Sequence, residues 1–167
     1  MDRIKGNYYF NLFLNLMRAN YMKSQKDWEK VANEVGLTHT QQHALWILHL
    51  DNGLTLDELG NIAFWNKSTT SALVSRLEKK GYVRKERYLN NSRTIRIYIT
   101  EKGKKILEDS VNTERAVKFM GLLRSLDVEE IEKFLETLEK IYDLMNNQDS
   151  TDFKNYLQVS SNMMLKL

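Results

Sequence analysis

Five short hydroxyl side chains crowd one stretch of this chain: Ser68, Thr69, Thr70, Ser71 and Ser75. Leu73 and Leu77 lie four residues apart, so the stretch reads as a helix with one apolar face. Hydroxyls compete for backbone groups, and a helix kept for packing alone would carry Ala, Glu or Lys instead. Short hydroxyls suit a helix that must approach phosphates and base edges. Lys67 opens the stretch, and Ser68 to Ser71 fill the first turns, where a helix N-terminus favours phosphate. Ser75 and Arg76 follow on the outward side, with Arg76 as a base or phosphate contact. The flat alternative for Arg76 is a solvated surface charge. Asn66 is the expected N-cap, and Gly81 ends the helix just past Lys79 and Lys80.

A hairpin is expected next. Residues 82–89 and 94–100 are rich in β-branched and aromatic side chains, with residues 90–93 as the turn. Ile95, Ile97 and Ile99 alternate with Thr94, Arg96 and Tyr98. Lys85, Arg87 and Arg96 are expected to meet phosphates. Residues 67–105 hold twelve Lys or Arg against three acids (Glu78, Glu86, Glu101), about nine net positive charges in a chain whose total is +3. The remainder is therefore acidic, about −6. A basic part on an acidic body points to a polyanionic partner, and helix, Gly, basic hairpin is the order of a winged helix.

His39 and His43, spaced i and i+4, are the other pair that could do chemistry. The chain has no Cys, and no third ligand is apparent, so a capping-region His and a packed His are the plainer reading. A metal-dependent protein built on this pair is the remote alternative. No Gly-rich phosphate loop, Ser/His/Asp arrangement or catalytic carboxylate pair is proposed, so neither an enzyme nor a cofactor is expected. No apolar run approaches the roughly 20 residues of a membrane helix. The start lacks a signal-peptide pattern, and a cytoplasmic location is the default.

The elements that position these residues follow in order. Residues 8–34 read as one long helix, apolar on nearly every side at its start. Tyr9, Phe10, Phe13, Leu14 and Met17 are expected to meet a second subunit, or else to cross the chain's own C-terminal helices. Gly36 ends this helix. Thr38 with Gln41, and Thr55 with Glu58, read as capping boxes of two short helices, separated by the Asn52-Gly53 turn. The second short helix and the hydroxyl-rich one form a helix-turn-helix. Residues 100–120 read as a single helix, and Asp127 caps another. Phe134, Leu138, Ile141 and Met145 belong to its apolar stripe, the sharpest in the chain, expected at the same interface. Residues 149–167 allow a short extra helix that covers the dimer or frays. The fold class expected is mainly α with a small β-hairpin wing: a winged helix-turn-helix domain plus a helical dimerisation lobe. The parts are residues 1–36 (dimerisation helix), 37–100 (winged helix-turn-helix), 101–148 (dimerisation helices) and 149–167 (C-terminal extension).

With these parts in place, the chain resembles the MarR family of bacterial winged-helix transcription regulators. The likeness runs over residues 9–146. It rests on the order of elements, on residues 55–63 and 66–82, on the turn ending in Arg93, and on Ile99-Thr100-Glu101-Lys102-Gly103, similar to the family's Leu-Thr-Glu-x-Gly run. His43-Ala44-Leu45-Trp46-Ile47 and Tyr88-Leu89-Asn90-Asn91-Ser92-Arg93 resemble the branch that represses protease production and sporulation. The resemblance implies a homodimer of triangular outline on a pseudo-palindromic operator of double-stranded DNA, acting as a repressor. It implies that Arg93 enters the minor groove. Asn91 stands where the family commonly has an acid that steadies this arginine, and an amide lacks the charge assistance. It also implies a crevice for small aromatic acids, which Trp46, His39, His43 and tyrosines would line unless they are core. The nearer competitor is a winged-helix module for protein contact, its basic surface merely solvated and without a specific DNA site.

Overall fold

The computed structural model describes residues 2–88, 91–146 and 151–164. Among them the helices and strands run α1 (Arg3–Asn33), α2 (His39–Leu50), β1 (Leu54–Thr55), α3 (Leu56–Ala63), α4 (Lys67–Lys79), β2 (Val83–Tyr88), β3 (Asn91–Ile99), α5 (Glu101–Val111), α6 (Glu114–Met120), α7 (Val128–Asn146) and α8 (Thr151–Met164). The fold is mainly helical with one small antiparallel sheet, as expected. The sheet order is β1-β3-β2, with Leu54 opposite Ile97 and Lys85 opposite Ile97 on the other side. No helix among the described residues is long and apolar enough to cross a membrane.

The caps place the short helices. Thr38 and Gln41 close a reciprocal box at α2, and Thr55 and Glu58 close another at α3. The Asn66 side chain accepts from the Thr69 amide at 2.9 Å and starts α4. Helix α1 begins five residues earlier than the expected residue 8. The Asp2 carboxylate accepts from the Ile4 and Lys5 amides at 2.8 and 3.0 Å, so the helix starts in a polar run without apolar periodicity.

Two further boundaries differ from expectation. The helix expected over residues 100–120 is broken: α5 ends at Val111, and Thr113 caps α6 by accepting from the Ala116 amide at 3.1 Å. Arg115 then meets Glu34 at 2.7 Å and holds α6 to the end of α1. Three of the residues expected in a turn at 90–93 belong to a strand, because β3 already starts at Asn91, paired with Tyr88 after a bulge. Asn90 lies outside the described residues.

The core gathers around α2. Leu45, Ile47 and Leu48 are fully buried against Leu59 of α3, Val74 and Leu77 of α4, and Ile97 of β3. Gly103 makes this closure possible. A β-carbon there would run into the Tyr82 carbonyl oxygen and come within 2.9 Å of Ile99. Helix α5 therefore lies directly on the backbone that leads into the wing.

The two apolar helices expected at an interface are uncovered in the single chain. Phe10 is 61% exposed, Phe134 53% and Met145 73%. Tyr9, Leu14 and Met17 are also exposed, while Phe13, Leu138 and Ile141 are half-buried. Helix α7 has no buried residue at all. The C-terminal extension takes a definite place: α8 packs on α3, burying Tyr156 and bringing Phe153 against the core. It joins the winged helix-turn-helix body instead of fraying.

Gly103→Ala is expected to destabilise the protein by roughly 1–3 kcal/mol, because the obstacle is backbone and cannot rotate away. Urea denaturation followed by circular dichroism measures this; an unchanged midpoint would show that α5 does not bear on the wing as described.

Candidate nucleic-acid interface

Helix α4 divides cleanly into two sides. Leu73, Val74 and Leu77 face the core, and Thr70 joins them at 0% exposure. Its hydroxyl donates to the Asn66 carbonyl at 3.0 Å. Thr70 is therefore withdrawn from the outward set: it lies under α3, against Gly60, and cannot touch an external ligand. Its spacing gives the reason, since Thr70, Leu73, Val74 and Leu77 form one helical face. Lys67, Ser68, Thr69, Ser71 and Arg76 are exposed, and Ser75 is half-buried. The Ser68 hydroxyl donates to Asn66 Oδ1 at 2.7 Å and reinforces the cap. Among the described residues, no partner meets the hydroxyls of Thr69 and Ser71.

Sequence reasoning missed three residues on this surface. Ala72 is exposed between Ser68 and Arg76, and Lys79 is exposed further along the same side. Helical spacing from Ser68 would have found both. Thr40, at the start of α2, is the third. With Ser68, Thr69, Ala72, Leu73 and Arg76 it lines a shallow groove of about 320 Å³. Its place depends on how α2 meets α4, which spacing along one helix does not reveal.

The wing cations separate. Lys85 and Arg87 lie on the same side of the sheet as the inward Ile95, Ile97 and Ile99, toward α4. Lys85 is held by Glu78 of α4 at 2.7 Å and is partly buried. Arg87 is exposed and has no ion-pair partner among the described residues. Arg96 is on the opposite side. Its guanidinium donates to the Gly53 carbonyl at 2.6 Å and lies 3.7 Å from Glu58. Arg96 thus joins β3 to the turn before β1. Thr94, Arg96 and Tyr98 alternate with the core isoleucines, so the opposite side was where Arg96 had to go. The side chains of Asn91 and Arg93 lie outside the described residues, and their expected roles are carried by sequence alone.

All three acids of the basic segment are matched locally: Glu78 by Lys85, Glu86 by Arg84 and Glu101 by Lys104. Lys67 reaches Asp57 at 3.2 Å, but both side chains are largely exposed, so water and salt weaken the pair. Arg76, Lys79, Lys80, Arg87 and Lys102 are left without an acidic partner among the described residues; Lys80 meets the Gln41 amide oxygen and Lys102 the Lys80 carbonyl. Arg76 and Lys79 are exposed on the helix that also carries the unbonded, exposed hydroxyls of Thr69 and Ser71, an arrangement suited to a phosphate backbone.

A second site is lined by no residue of α4. Tyr21, Trp28, His39, His43, Trp46 and Tyr156 line a cavity of about 660 Å³ between α1, α2 and α8. The structure brings together the three residues expected at a crevice, and Trp46 also packs on the core. Tyr21 and Tyr156 supply the tyrosines expected there. The His39 and His43 rings stack at 6.0 Å, and His43 meets the Trp65 ring edge-on at 5.5 Å. Burial, helped by the neighbouring His39, lowers the His43 pKa to about 4. Burial also lowers that of His39, against the pull of Glu29. Burial raises the Tyr156 hydroxyl to about 12, with Asp51 adding to the effect.

A family profile described as "MarR family" matches residues 37–95. The chain is similar to the DNA-binding transcriptional repressor ScoC of Bacillus subtilis (strain 168), 29% identical over 106 residues, covering 61% of this chain and 52% of ScoC. It is similar to the HTH-type transcriptional regulator SarZ of Staphylococcus saprophyticus, 33% identical over 92 residues, covering 55% of this chain and 63% of SarZ. Among solved structures, a MarR family protein from Bacillus stearothermophilus superimposes with a TM-score of 0.67 at 28% identity, over 83% of this chain and 96% of that one. The chain spans about half the length of ScoC and under two thirds of SarZ.

The buried imidazole makes stability depend on pH. An unfolded His43 titrates near 6.5 and the folded one near 4, so between these values the unfolded state holds the extra proton. Stability is expected to fall as pH drops from 6.5 toward 4, with His43 contributing roughly 3 kcal/mol of the loss. The measurement is urea denaturation at pH 7 and pH 4.5 for the wild type and His43→Gln. The variant should lose less stability between the two, and parallel losses would refute the assignment.

Proposed function

We propose, from the premise that residues 37–95 form a MarR family domain, that the protein is a sequence-specific transcriptional regulator. In this reading it is a repressor that binds a pseudo-palindromic operator in double-stranded DNA as a homodimer, in the cytoplasm. The observation that carries the reading is the outward side of α4. Ser68, Thr69, Ala72 and Arg76 stand exposed on a helix whose other side is locked into the core. Such a helix fits the major groove: hydroxyls reach phosphate and base edges, a methyl can meet thymine, and Arg76 reads a base or a phosphate. Arg87 meets a phosphate, and Arg93 probes the minor groove. Lys85 contributes once its pair with Glu78 opens.

The dimer follows from apolar surface without a cover. Phe10 and Met17 of α1, and Phe134 and Met145 of α7, come from opposite ends of the chain, and a second copy buries both sets. Residues 1–36 and 101–148 then form the dimer lobe, and residues 37–100 the DNA lobe with α8 attached. The cavity at His43 and Trp46 would take a small aromatic effector between the two lobes. The competing role, a protein-contact module, is disfavoured by the make-up of the α4 surface, which lacks the aromatic anchors of contact sites.

Selection of bound duplexes from genomic DNA should yield a palindromic site. On that site Arg76→Ala is expected to weaken binding by about 1–3 kcal/mol in a gel-shift titration. Binding of the wild type should weaken with salt at a log–log slope of about −0.9 per phosphate neutralised. Non-specific binding with no preferred sequence would turn the choice to the protein-contact module. Sedimentation of a Phe10→Glu, Phe134→Glu variant should show a monomer where the wild type is a dimer. A monomeric wild type would dismiss the paired mode of binding.

A further inference from the structure

Phe64 is the single non-glycine residue with positive φ among the described residues, at φ 56° and ψ 38°. A bulky side chain is strained in this left-handed region, where glycine is the ordinary occupant of a helix C-terminus. The conformation ends α3: the Trp65 amide bonds the Gly60 carbonyl at 2.9 Å, and Asn66 begins α4 one residue later. The backbone at Phe64 therefore sets the direction in which α4 leaves α3.

The Phe64 ring does not enter the core; it is 63% exposed. Two rings from the C-terminal part of the chain meet it. Phe153 of α8 lies 5.2 Å away, edge to face, and Tyr142 of α7 lies 6.4 Å away. Tyr142 and Phe153 are themselves 5.0 Å apart, so the three rings form one cluster. Polar bonds fix α8 on both flanks. Asp152 accepts from the Asn61 side chain at 2.8 Å, just ahead of Phe64, and Lys154 pairs with Asp143 of α7 at 2.6 Å. Helix α8 thus ties α7, whose apolar side is unpartnered, to the turn that aims α4.

We propose that α8 is a strap and that Phe64, Phe153 and Tyr142 are positioning residues for DNA recognition. Their cluster holds the Phe64 turn and so fixes the angle of α4 relative to α7. In a dimer joined through α7, that angle sets the half-site spacing the pair can read. The part concerning DNA rests on the function proposed above; the holding of the turn does not.

The test uses the full-length protein with Phe64→Gly, which keeps the left-handed turn but removes the ring, and Phe153→Leu, which keeps apolar cover but removes the ring. Hydrogen exchange of the free protein is expected to quicken about tenfold at α4 amides in each variant, with α2 amides unchanged. The double variant should be no faster than the faster single. On a library of duplexes with varied half-site spacing, both variants should lose about tenfold affinity for the preferred spacing and accept neighbouring ones more evenly. Their non-specific binding should stay as in the wild type. Wild-type exchange at α4 in both variants, with only a lower melting temperature, overturns the strap. A wild-type protein that prefers no duplex, with the exchange effect present, overturns the DNA reading and leaves the strap standing.

Discussion

At the crossing of α3 and α4, a β-carbon on Gly60 would sit 3.0 Å from the Thr70 hydroxyl and 3.1 Å from the Trp65 carbonyl. Thr70 is fully buried in that gap and bonded to Asn66. Two helix backbones are thereby held at close range with no room to slide. Everything that faces outward on α4 takes its bearing from this contact, because the inward side is occupied by Thr70, Leu73, Val74 and Leu77. Four of the five hydroxyls of α4 fall into two groups. Thr70 and Ser68 bond to the Asn66 cap, while Thr69 and Ser71 stay available.

The electrostatics of the basic segment follow a similar division. Its acids lie beside cations of the same segment and quench part of the charge locally. Of what remains, Arg76 and Lys79 lie on α4, Lys80 at its C-cap, Arg87 on the wing strand that faces it and Lys102 in the first turn of α5. Arg96 illustrates how a positive charge can serve the fold: bonded to Gly53 and near Glu58, it pins the sheet to the end of α2. The apolar surface is arranged with equal economy. The winged helix-turn-helix body buries its own core, whereas α1 and α7 carry large apolar side chains that one chain leaves in water. Exposing that much apolar area is costly, and the cost disappears when matching surfaces associate.

Much of this was legible in the sequence. The capping boxes at Thr38 and Thr55, the Asn66 cap, the isoleucine alternation in β3 and the basic segment all depend on neighbours within four residues. Local rules of backbone bonding and side-chain spacing decide such features. The errors share a cause as well. The early start of α1 and the break before α6 rest on single polar caps inside runs without a competing apolar pattern. Thr70 was read by its residue type instead of its helical phase.

The sequence by itself determined the order of elements, the two sides of α4 and the presence of an apolar stripe on α7, because each is a matter of period and local bonding. Only the tertiary structure decided that α8 lies on α3, that Phe64 meets Phe153 and Tyr142, and that Thr40 flanks the outward groove. Those contacts join residues tens of positions apart. Their partners are chosen by shape and by the closing of the core, and no local period encodes that choice.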